Sequence, residues 1–151
     1  MSHLLLGCRA WRRACLGATL LAALPGWAQA GAPELVCQLR YGSEEQVVRQ
    51  QVSADPYAAV AQSMGERFQF KAVVLGEPDR IDHITLTVYD LSVPGAPVPV
   101  HQVRYTAPFN MHPVLPALTG WNHIYSSVYG REFRYGCALQ DALAPANRRQ
   151  P

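Results

Sequence analysis

Two cysteines placed almost at the ends of one domain constrain this chain more than anything else in it. Cys37 sits in VCQLRYG and Cys137 in RYGCAL. Each lies on the apolar side of an alternating stretch, and each has Arg-Tyr-Gly as a near neighbour. If the two are joined, the bridge closes a loop of about a hundred residues and is worth about 4–5 kcal/mol by chain entropy. A chain so closed must bring its first and last elements side by side.

Whether they are joined depends on the compartment, which the first thirty residues address. MSHLLLGCRAWRRACLGATLLAALPGWAQA has a positive region (Arg9, Arg12, Arg13) and an eleven-residue apolar run from Ala14 to Leu24. Pro25-Gly26 breaks the run, and Ala28-Gln29-Ala30 fits cleavage after Ala30. The run is far shorter than the roughly 20 residues of a membrane span, which disfavours an uncleaved anchor. Arg12-Arg13 admits twin-arginine export beside the general route. Leu5-Leu6-Gly7-Cys8 precedes the positive region and is not read as a lipoprotein box.

Cleavage would leave 121 of the 151 residues, one domain in size. It also removes three arginines, leaving 10 basic residues against 11 acidic and a net charge of −1. No polybasic patch survives to attract phosphate backbones, so nucleic acid is not expected as a partner. Cys8 and Cys15 leave with the signal. The pair that remains in an oxidising compartment is predicted to form the Cys37–Cys137 disulfide, rather than two buried thiols or a C-x-x-C redox pair.

The body of the chain reads as strands. Leu35, Cys37, Leu39 and Tyr41 alternate with Val36, Gln38 and Arg40, the two-residue period of a half-buried strand. The same period recurs at Phe68–Val74 and at Ile84–Val88, with Val48 and Val52 facing inward on a strand between. Gly76-Glu77-Pro78-Asp79 and the Pro-rich 92–99 segment are turns or loops. A shorter strand is expected around Val100–Tyr105. Gly130-Arg131 is read as a two-residue type II′ turn, pairing Val128 with Phe133, Ser126 with Tyr135 and Ile124 with Cys137. That puts Ile124, Val128, Phe133, Tyr135 and Cys137 inward and Tyr125, Ser127, Tyr129, Glu132 and Arg134 outward.

The predicted fold is all-β, an antiparallel sandwich of about seven strands, immunoglobulin-like in shape only. The domain is expected over 31–140, followed by a disordered tail at 141–151. A short helix near 55–64 is an alternative to an extended edge there. It would have Asp55 as N-cap, Pro56 first, and Tyr57, Val60 and Met64 at helical spacing.

Function is less marked. No G-x-S-x-G, H-E-x-x-H or phosphate-loop pattern occurs, and no cysteine is spare as a nucleophile, so an enzyme is the last of three readings. The segment 106–123 is long and apolar, carrying Phe109, Met111, Val114, Leu115, Leu118 and Trp121 between Pro108, Pro113 and Pro116. It reads either as a lid on the core or as a binding surface for a protein or small ligand. The candidate contact residues are Phe109, Met111, Trp121, Tyr125, Tyr129 and Arg134. The rival reading is copper bound by Met111, His112 and His123, since soft Met and His donors suit Cu(I). An Asp90 or Val88 position opposite His101 is expected, with any Asp90–His101 contact a weak surface pair.

The alanine-rich leader, the early VCQLRYG strand and the late YGREFRYGCAL hairpin together resemble small uncharacterised exported proteins of Gram-negative bacteria. The resemblance implies a periplasmic address. It brings no catalytic or ligand-binding residue with it, because the residues that carry it are framework residues.

Overall fold

A computed structural model describes residues 32–125 and 130–141. Alternating sequence has become eight strands: β1 (Pro33–Tyr41), β2 (Glu44–Gln51), β3 (Gln62–Met64), β4 (Phe68–Glu77), β5 (Arg80–Asp90), β6 (Val98–Thr106), β7 (Trp121–Tyr125) and β8 (Glu132–Asp141). They form two four-stranded antiparallel sheets, in the orders β2-β1-β8-β7 and β3-β4-β5-β6. The expected sandwich is therefore the architecture. Residues 1–31, 126–129 and 142–151, on which the expected leader, most of the expected hairpin turn region and the expected tail fall, lie outside the described residues.

The inward set is the alternating set. Leu35, Cys37 and Leu39 of β1 face Phe68, Phe70, Ala72 and Val74 of β4, with Ile84, Leu86 and Val88 of β5 beside them. Phe133, Tyr135 and Leu139 of β8 complete the layer. Aromatic rings fasten one sheet to the other. Phe68 lies 5.3 Å from Phe133 and Phe70 lies 5.2 Å from Tyr135, centroid to centroid. Such separations add to what burial alone contributes.

β1 and β8 are neighbours, with Cys37 directly opposite Cys137, and a disulfide joins them. The Arg-Tyr-Gly echo also finds its reason here. Gly42 turns β1 into β2 at a φ of 62°, a conformation that disfavours side chains. Gly136 does the other job, close approach: a Cβ there would stand 2.6 Å from Pro116 and 2.8 Å from the Trp121 ring. Tyr41 packs edge-on against Phe68, while Tyr135 is wholly buried.

Three expectations need correction. No helix forms at 55–64. Asp55 accepts a hydrogen bond from the Tyr57 amide in a local turn, and Ser53 is pinned to β4 through Val74 O and the Gly76 amide. Tyr57 and Val60 point into solvent, so no apolar stripe exists to bury, and Met64 is buried from strand β3 instead. So short a helix without a packing face cannot recover the cost of nucleation.

The second correction is the register of the last hairpin. Ile124 pairs with Phe133 and Asn122 with Tyr135, a slip of four residues from the register of the two-residue turn, and the last pair described is Tyr125 with Glu132. An even slip keeps every side chain on its own face, so the apolar pattern could not distinguish the two registers. Third, of the two positions expected opposite His101, Val88 holds it and Asp90 does not. The register that runs from Ile84 opposite Tyr105 to Val88 opposite His101 shifts only at a bulge after Val88, and Asp90 pairs with the Arg67 guanidinium at 3.5 Å. Strand β8 also runs through Asp141, one residue into the segment expected as tail.

Candidate functional site

The segment after β6 is held against β8 where β7 runs out. The amides of Leu118 and Thr119 donate to Cys137 O at 3.0 and 3.3 Å, and the Cys137 amide donates to Thr119 Oγ1 at 2.8 Å. Further along, Met111 bridges to Leu139 in parallel. Loop residues thus stand where a strand would, covering backbone that an edge would leave open. Phe109 and Leu118 pack on the core from this segment, whereas Met111 and Val114 face solvent.

The outer face of the β2-β1-β8-β7 sheet carries the chemistry. Strand register sets His123, Arg134, Arg40 and Glu45 in one row across it. The neighbouring row has Trp121 beside Gly136, whose missing side chain lets the indole lie on the strand. The Arg134 guanidinium sits 5.1 Å from the Trp121 ring centroid, a cation–π arrangement. Its Nε is buried with no hydrogen-bond partner. Glu132 accepts from the Tyr125 hydroxyl at 3.4 Å and pairs with His123 Nδ1. Arg40 pairs with Glu45.

Two clefts open at the end of the sandwich where β1 turns into β2. One, of about 420 Å³, is lined by Arg40, Gly42, Arg131, Glu132 and Arg134. The other, of about 500 Å³, is lined by Tyr41, Gly65, Glu66, Arg67, Ser92 and Arg131. Arg131 is the wall they share.

Trp121, Tyr125 and Arg134, three of the six expected contact residues, come together on one face. Met111 lies further along the same side of β8. Phe109 is partly buried and serves packing, and Tyr129 lies outside the described residues. The copper trio does not assemble. Met111 stands beside Leu139 and His123 beside Arg134, five positions apart along β8, which is about 17 Å of strand. His112 Nδ1 accepts instead from the Val114 amide at 3.3 Å, within its own loop. Among the described residues no three His, Cys, Asp or Glu side chains gather as a metal site.

One contact escaped sequence reasoning altogether. His101 Nε2 and the Tyr135 hydroxyl hydrogen-bond at 2.8 Å, from β6 across to β8. Burial pushes the tyrosine pKa far up, with Tyr105 adding to it, and burial pushes the His101 pKa down. The tyrosine keeps its proton and the imidazole stays neutral, so the O–H can donate to Nε2. Placing His101 opposite inward Val88 was the available signal, since that register turns the imidazole toward the core.

Comparison with protein-family models, with curated proteins and with solved structures finds no match to this chain. No helix among the described residues is long and apolar enough to cross a membrane.

Proposed function

We propose that this chain is an exported, non-enzymatic binding module of the periplasm that meets its partner through the 106–123 segment and the outer face of β7 and β8. The observation that carries the reading is a set of exposed apolar and aromatic side chains shared by the 106–123 segment and β7. Met111 is 45%, Val114 60%, Trp121 42% and Tyr125 68% exposed, with Arg134 stacked on Trp121. Trp, Tyr and Arg are the residue types that most often anchor interfaces. Here the tryptophan is already seated on Gly136 and stacked under Arg134, so little side-chain freedom would be lost on binding.

The export half rests on the tripartite leader, with which a disulfide is compatible. Mass spectrometry of periplasmic protein with Gly31 as its first residue supports it, and an intact Met1 in a membrane fraction contradicts it. The binding half is tested on partners captured from a periplasmic extract, each then titrated against wild type and Trp121→Ala. Loss of an anchor of this kind weakens binding by about thirtyfold or more. Undiminished affinity of every captured partner for Trp121→Ala would refute the assigned surface.

A further inference from the structure

The row of basic side chains beside Trp121 has a feature that a protein-contact surface does not explain. Arg40 and Arg134 stand directly opposite one another across β1 and β8, on the same face. Like charges so placed repel and destabilise the sheet unless something lies between or beside them. Glu45 answers Arg40. No acidic side chain among the described residues pairs with Arg134 or with Arg131, and the one carboxylate of the cleft, Glu132, is engaged by His123 and Tyr125. Three guanidinium groups and one carboxylate therefore line a cleft of about 420 Å³, whose Gly42 wall carries no side chain. That volume is within the usual range for small-ligand sites.

We infer that this cleft binds a small ligand through a phosphate monoester group held by Arg40, Arg131 and Arg134. Guanidinium forks match the oxygens of phosphate and carboxylate alike, two parallel N–H···O bonds at a time. Phosphate is favoured over carboxylate by number. A monoester brings about two negative charges and three acceptor oxygens, which match the two guanidinium groups, Arg131 and Arg134, that no acidic side chain among the described residues answers, while a carboxylate brings one charge and two oxygens. Arg134 is held ready, its guanidinium on the indole and its Nε packed away from water, and it lines the cleft without an acid to be displaced. The inference shares Arg134 with the proposed contact surface but does not depend on it, because a partner anchored by Trp121 needs no oxyanion.

Isothermal titration in low-salt buffer tests this with inorganic phosphate, glycerol 3-phosphate and succinate as probes. One saturable phosphate or phosphomonoester site per chain is expected, with succinate clearly weaker. Arg131→Gln, on an exposed connection and harmless to folding, and Arg134→Gln should each weaken it by about tenfold or more. Arg80→Gln, at the β4–β5 turn and ion-paired with Asp82, should leave it unchanged. Absence of saturable binding to any probe overturns the site. So does an equal loss in Arg80→Gln, which would mean diffuse charge attraction. Succinate binding as tightly as phosphate overturns the phosphate assignment. Retention of Trp121-dependent partner binding in Arg131→Gln would leave the binding-module reading standing if the cleft fails.

Discussion

Adding a single methyl group at Gly136 tests how the β7 face is built. An alanine Cβ would lie 2.6 Å from Pro116 Cβ, 2.8 Å from Trp121 Cε3 and 2.9 Å from Trp121 Cζ3. Ordinary carbon contacts are about 3.5–4.0 Å, so the proline ring and the indole must both retreat by roughly 0.6–1.4 Å. Neither moves freely. Pro116 is in the turn whose carbonyl accepts from the Thr119 and Gly120 amides, and Trp121 is the first residue of β7. Overpacking of this kind costs about 1–3 kcal/mol, or about 4–12 °C of melting temperature at about 4 °C per kcal/mol for a domain of this size. Thermal unfolding followed by circular dichroism gives the number. In a Trp121→Ala background two of the three clashes vanish but the proline clash stays, so Gly136→Ala should cost less there without becoming free. The coupling between the two sites should be about 0.5 kcal/mol or more. A Gly136→Ala protein within about 0.5 kcal/mol of wild type, or a cost unaltered by the Trp121 background, would refute the close-approach account of this glycine.

Three further outcomes are expected. Cys37→Ser/Cys137→Ser, which opens a crosslink between residues 100 apart, should lose about 4–5 kcal/mol in denaturant unfolding, and two alkylatable thiols in natively exported protein would contradict the bridge. Because burial lowers the His101 pKa from 6.5, its contribution is full above the unfolded value and is lost as pH falls through the folded one. Stability should therefore fall as pH drops below about 6.5, with a smaller slope in His101→Phe, whose baseline is lowered by about 1–3 kcal/mol because Tyr135 loses its partner. Competition for Cu(I) against a chelator should show no tight one-to-one site that Met111→Leu/His112→Ala/His123→Ala abolishes, since Met111 and His123 are too far apart to share an ion.

Much of the fold is written in residues two apart. The inward faces of β1, β4, β5 and β8 follow from alternation, and the adjacency of first and last strands follows from the two cysteines. Binary pattern is silent, however, about slips of an even number of residues. That is why the β7–β8 register was missed while its faces were right. Local propensity misled at 55–64, where cap-like residues serve an isolated turn because Tyr57 and Val60 have nothing to pack on. Contacts between sheets, such as His101 with Tyr135, and the Arg67–Asp90 pair beside a bulge have no local signature. The arginine row did have one. Once Cys37 faces Cys137 in antiparallel strands, Arg40 must face Arg134, three residues along in each.

The crosslinked pair β1–β8 also decides how the molecule carries load. Pro33 and Asp141 lie side by side in that ladder, so the chain enters and leaves at one pole of the sandwich, with the bridge four residues in on each strand. Tension applied through both flanking segments would peel those few residues and then stop at the covalent bond. Everything between Cys37 and Cys137 lies off the line of force. The arginine-lined cleft, at the opposite pole, would keep its shape under a pull that unravels an uncrosslinked sandwich from its ends.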